Sequence, residues 1–261
     1  MNAVRARGIG DADRDVRQYV IRTASVLGEV LSEAMTGLYL YGSLATGAFF
    51  RERSSIDLLA GVRKTLDPHK GAQLANAARI FSQECPVPGG LSLIVLEQST
   101  AQACTHPARC ELRCDRTHGA GAGIAARVME TRERGFRLVG PPAGDFFGPV
   151  PWYAFTASLQ EAFAAPQTDP VCAVLDACRV FAAVTARVMH MPNKPEAAQT
   201  ALIALPAVLQ TTVRDALNVA TGVKAIDDVV FGRGAIAQLR AYVCARVTPA
   251  FERALDCEED E

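Results

Sequence analysis

The sequence predicts an α/β domain over residues 1–150, built on a mixed sheet, followed by an all-helical bundle domain over 151–261. Two observations carry this. Up to about residue 100, short apolar strand-like runs alternate with segments of helical periodicity. Beyond Pro149-Val150-Pro151 the strand signals give way to helical patterns, with Gly or Pro at each junction.

Taken in order, Val16, Val20, Thr23, Leu27, Val30 and Ala34 recur at helical spacing between Asp13 and Ala34. Asp13 and Asp15 suit the positive end of that helix. Thr36-Gly37 ends it, and Leu38 to Tyr41 is a short strand that runs into Gly42-Ser43. A second strand covers Ile56 to Val62 and a third Leu91 to Leu96. Between them Pro68 to Cys85 forms a helix, with Asp67-Pro68 as its start signal. In the second half the helices are 151–164, 170–189, 194–205, 206–220 and 234–255.

Composition narrows the function. The chain has 261 residues, 49% of them hydrophobic, with 27 Lys+Arg against 28 Asp+Glu. It is long enough to bury a sizeable core and too apolar to be disordered. The last four residues, Glu258 to Glu261, are all acidic, which leaves the body mildly basic. A net charge of −1 offers no basic footprint for nucleic acid. No apolar run reaches the length of a membrane span, and the N-terminus has no apolar core of a signal peptide. The eight Cys then read as reduced thiols of a cytoplasmic protein.

The chemistry is concentrated in Leu40-Tyr41-Gly42-Ser43 and Ser54-Ser55-Ile56-Asp57. A strand that runs into Gly-Ser at the start of a helix turns backbone N–H groups and a hydroxyl towards a phosphate. A second strand puts alternate side chains on one face, here Ser55 and Asp57. Two carboxylates at such positions would hold Mg²⁺ against a triphosphate. The same pattern also fits a plain strand–turn–helix of an ordinary α/β domain.

Further segments carry a family resemblance. They are Pro107 to Leu112, Arg134 to Pro141, Phe147 to Pro151, Cys178-Arg179 and Asn193-Lys194-Pro195-Glu196-Ala197-Ala198. With the Gly-Ser…Asp motif, they make residues 36–250 resemble the aminoglycoside adenylyltransferases of streptomycin and spectinomycin resistance. That family lies in the nucleotidyltransferase superfamily of DNA polymerase β. The resemblance implies transfer of a nucleoside monophosphate from a triphosphate to a hydroxyl of a small, aminoglycoside-like acceptor. It implies ATP and Mg²⁺, with Gly42, Ser43, Ser54, Lys194 and Arg179 on the nucleotide and Asp57 on the metal.

The sequence departs from the pattern at two catalytic positions. Ser55 stands where the family has the first metal-binding Asp, and Ser92 where it has the general-base Glu. A hydroxyl is a weak metal ligand and no general base. The alternative reading is therefore a catalytically degenerate nucleotide-binding or regulatory protein on the same scaffold. Glu52, Glu111 and Asp115 are candidate replacement acids, whereas Glu97 falls on the wrong face of its strand for Ser92.

Other residues leave alternatives open. Cys104, His106, Cys110, Cys114 and His118 lie close in sequence but lack the spacing of a zinc knuckle. Trp152 either lines the cleft or anchors the start of a helix, and no Trp follows Ala197-Ala198-Gln199 as in the family's drug-packing run. Asp169 is the one acid available to a polycation in 164–170. His190 is read as the C-terminal partner of a helix dipole. Arg179 either pairs with Asp176 or presents a cation to the cleft.

Overall fold

A computed structural model describes residues 8–106, 108–114, 123–186, 189–232 and 234–256. Asp115, His118 and the acidic tail of the sequence reading lie outside these residues. The chain runs α1 (Arg14–Leu31), β1 (Met35–Tyr41), α2 (Gly42–Ala45), β2 (Ile56–Val62), α3 (Pro68–Glu84), β3 (Leu91–Glu97) and α4 (Gln98–Ala103). It continues through β4 (Leu112–Cys114), α5 (Ile124–Arg134), β5 (Phe136–Val139) and α6 (Ala143–Phe146). Five helices complete it: α7 (Trp152–Ala164), α8 (Pro170–Thr185), α9 (Lys194–Ala204), α10 (Ala207–Ala220) and α11 (Ala235–Asp256).

The sheet is mixed, in the order β4-β3-β2-β1-β5. β2 and β3 are parallel because α3 carries the chain back to the same end, and the other pairs are antiparallel. Both faces are covered, so the central strands read as near-continuous apolar runs. Leu38, Leu40, Ile56, Leu58, Leu93 and Val95 pack towards α1 and α3. Alternate residues Tyr39, Tyr41, Leu59, Ile94 and Leu96 join a core with α5 and the C-terminal helices.

Local signals set the ends of the elements. Asp67 caps α3 through the Lys70 amide, with Pro68 at its first turn. Asp13 and Asp15, expected at the start of α1, both reach Arg51, at 2.8 and 2.6 Å. The Tyr19 hydroxyl ties α1 to α3 by donating to the Phe81 carbonyl. α8 is apolar almost all round because it forms the centre of the helical half.

Two strands go beyond the sequence reading. β4 and β5 are short edge strands whose pairing with β3 and β1 fixes them, not their own periodicity. α8 stops at Thr185, short of the expected Met189. His190 therefore caps no helix; its Nδ1 lies 2.8 Å from the Glu133 carboxylate of α5.

Candidate functional site

Register brings the predicted residues together. Tyr41 of β1 pairs with Asp57 of β2, and Asp57 pairs with Ser92 of β3, so the three form one row across the sheet. They share the face that looks towards the helical half, and Ser55, two residues before Asp57, falls on the same face. The row is linked by hydroxyls. Ser55 donates to Asp57 Oδ1 at 2.8 Å, and Tyr41 Oη lies 3.2 Å from Ser92 Oγ.

Gly42 makes the row possible. Its φ is +70°, and a Cβ there would overlap the Asp57 carboxylate. The Gly-Ser turn therefore lies directly against the acid. Ser54 is committed to the same loop, its Oγ accepting the Phe50 amide at 2.9 Å.

The row opens into a cleft of about 690 Å³ between the sheet and the helical half. Gly42, Ser43, Ser54, Ser55, Asp57 and Ser92 line one wall. Arg179 and Lys194 line the other, so every residue singled out for the site borders one space. The cleft also holds Arg53, Arg127, Glu130, Asp169 and Asp176, which gives four cations and four carboxylates.

Six of these eight charges form ion pairs with one another. Arg53 bridges to Asp169, whose Oδ1 also caps α8 through the Val171 and Cys172 amides. Arg179 donates to Glu130 at 3.2 Å and to the Pro192 carbonyl at 2.9 Å. Asp176 lies 3.4 Å from Lys194, so the pairing of Arg179 with Asp176 is not the one formed. Burial works against the Lys194 charge, but the Asp176 carboxylate and Cys172 outweigh it and raise the pKa. Lys194 opens α9, whose N-terminus is held by the Asn193–Glu196 capping box. Arg134 of α5 grips Glu196 at 3.0 Å and fixes that end relative to the sheet.

Asp57 is the one acid of the row. Burial pushes its pKa up to about 6, opposed by the Ser55 hydroxyl and Arg127 and reinforced by Glu130. Burial likewise raises the Tyr41 phenol, which stays protonated. Arg127 of α5 donates to Tyr41 Oη at 3.2 Å, and its guanidinium carbon stands 5.9 Å from the ring centre.

These donors do not fit the Mg²⁺ expected at Asp57. One Asp57 oxygen accepts Ser55 and the other is pressed against Gly42. The neighbouring row positions supply hydroxyls, and Arg127 of α5 brings a guanidinium to Tyr41. Mg²⁺ needs an octahedral set of oxygens with anionic anchors, and a two-ion clamp needs several carboxylates. Among the described residues no group of three or more His, Cys, Asp or Glu side chains could hold a metal.

Of the candidate replacement acids, the two among the described residues are elsewhere. Glu111 accepts the Leu66 amide, Glu52 is exposed, and neither borders the cleft. Glu97 receives Thr65 and Ser99 at the far end of β3. Among the acids that border the cleft, Glu130, 5% exposed, is the one that sequence reasoning missed, together with Arg127. Its signal was a charge on the otherwise apolar side of α5, beside Ala126 and Met129. Trp152 is a helix anchor: it opens α7 and packs on Phe155 at 5.9 Å, outside the cleft. Cys104 is buried, donates to the Ala101 carbonyl, and burial raises its thiol to about 11.

Comparison with known proteins agrees with this architecture. Residues 146–246 match the family model of the aminoglycoside adenylyltransferase C-terminal domain. A comparison with curated proteins gives no match. Among solved structures, the chain is similar to spectinomycin adenyltransferase AAD(9) from Enterococcus faecialis, crystallised with ATP and spectinomycin. The TM-score is 0.75 at 14% identity, over 89% of this chain and 99% of that one. The chain thus has the nucleotidyltransferase fold of that structure, and its helical half matches the C-terminal domain of the aminoglycoside adenylyltransferases.

Proposed function

We propose that the protein binds a nucleoside triphosphate, ATP in the first instance, in the cleft between sheet and helical half, and is degenerate as a transferase. The carrying observation is the row Tyr41–Asp57–Ser92, in which one buried carboxylate is flanked by hydroxyls. Gly42 and Ser43 offer backbone and hydroxyl groups to phosphate, and Arg179 and Lys194 approach from the other wall. The similar spectinomycin enzyme was crystallised with ATP, which supports the choice of nucleotide.

Transfer would need an acceptor hydroxyl to attack the α-phosphorus, forming its O–P bond as the bond to pyrophosphate breaks. A base must take the hydroxyl proton, a contribution of about 10²–10⁴-fold. Ser92 cannot do this, and its hydroxyl is already placed on Tyr41. A polycationic acceptor also meets a balanced cleft, since Asp169, Asp176 and Glu130 already hold Arg53, Lys194 and Arg179.

Glu130 favours a second reading, in which it serves as a relocated base for an active transferase, because it is a buried carboxylate bordering the same cleft. Pyrophosphate release from ATP and Mg²⁺ with spectinomycin or streptomycin separates the two. The degenerate reading expects no release above the acceptor-free control. Turnover that Glu130→Gln abolishes, with ATP binding retained, would replace it with the second.

A further inference from the structure

The cleft has a charged end and an apolar end, and the apolar end leads beyond the nucleotide reading. We propose that it is a separate binding site for a neutral, apolar small molecule, filled beside the nucleotide and not by it.

Helix periodicity divides the lining. On α8, Val171 and Leu175 form one column at i and i+4. Cys172, Asp176 and Arg179 form the next column, and these meet Lys194 and Glu130. The same division runs along α5, where Gly123 and Ala126 border the cleft at the helix start and Arg127 and Glu130 follow. Leu159, Ala162 and Phe163 of α7 add a third apolar face. These walls are in contact. A Cβ on Gly123 would stand 3.4 Å from Ala162, and the Ala126 amide donates to Ser158 Oγ at 3.0 Å. Ala126, Leu159, Phe163, Val171 and Leu175 belong to one buried cluster. Gln167 and Thr168, in the loop between Phe163 and Val171, bring polar groups to the rim of this end. An apolar recess with a few polar groups at its edge is the usual form of a small-molecule site.

Charge decides the class of ligand. Among the described residues, each acid bordering the cleft is already engaged. Asp169 holds Arg53, Asp176 holds Lys194, Glu130 holds Arg179, and Asp57 accepts Ser55. A cationic ligand must break one of these pairs and lose its own hydration, whereas a neutral one only displaces water from apolar walls. Polyphosphate is confined to the charged end, because an ion against apolar walls is penalised.

Titration of the full chain with N-phenyl-1-naphthylamine, a neutral apolar dye that brightens out of water, tests this. The expected result is one saturable site whose affinity changes less than about threefold in saturating ATP. Ala162→Phe, which fills the recess, and Leu175→Asn, which makes it polar, are each expected to weaken the dye at least about tenfold. Circular dichroism checks the folding of both, and spermine is expected not to displace the dye. Displacement by ATP would overturn the inference by giving the apolar end to the nucleobase. Displacement by spermine would overturn the neutral class, and dye binding that is unsaturable or unchanged in both variants would overturn the site. If ATP itself fails to bind, the nucleotide reading falls, and the two variants alone decide the apolar site.

Discussion

Asp57 concentrates the physical conflict of the site in one side chain. Its folded pKa of about 6 lies above the ordinary 3.8, so the folded chain takes up this proton more readily than the unfolded chain. The carboxylate therefore costs stability as the pH rises from about 4 through 6, and the cost is complete at neutral pH. Asp57→Asn, which can still accept Ser55, is expected to be more stable than the wild type at pH 7.5 by about 2–3 kcal/mol. Thermal melts across pH should show the gap close by pH 4; a pH-independent gap would remove burial as its cause. Gly42 is the counterpart. Gly42→Ala is expected to cost at least about 2 kcal/mol, because it combines a left-handed φ with a collision. Denaturant unfolding should find it much milder in an Asp57→Gly background, where the carboxylate it meets is gone.

The elements differ in how far the sequence announces them. β2 and α8 were readable because each is a long apolar run with Pro, Gly or Asp at its ends. The placing of Ser55 and Asp57 on one face was readable from the period of two, whereas Ser92 was reached only through the family resemblance; strand register then brings it beside Asp57. The partners across the cleft were not readable. Glu130 and Arg127 sit on α5 among other charges, and only the packing of α5 against the sheet separates them from Glu133 and Arg132. Arg179 likewise chose Glu130, 49 residues away, over Asp176 one turn away on its own helix. Arg134 acts at this scale: it touches no cleft residue's side chain, yet holds the start of α9 through Glu196. Arg134→Ala is expected to weaken ATP binding about threefold to tenfold by releasing Lys194, with a smaller loss in Glu196→Gln. Equal affinities in isothermal titration would show that α9 needs no such hold.

At the scale of the molecule, the two halves share one core. Tyr39, Tyr41, Leu59, Ile94 and Leu96 of the sheet pack in the same cluster as Phe155, Val174 and Leu175 of α7 and α8. The boundary near residue 150 that composition suggests is thus a change of secondary structure more than a break in the interior. A fragment of residues 1–150 would expose that sheet face, and it is expected to aggregate or stay partly unfolded, as circular dichroism and limited proteolysis would show. The intact chain should melt in a single calorimetric transition. The shared core also fixes the cleft, because its two walls cannot separate without opening that interior. Titration of ATP into the intact wild-type chain at neutral pH tests the central claim most directly. One nucleotide per chain, with affinity falling at least tenfold in Lys194→Met, is the expected result. A titration without heat or saturation, confirmed by equilibrium dialysis, would contradict the account.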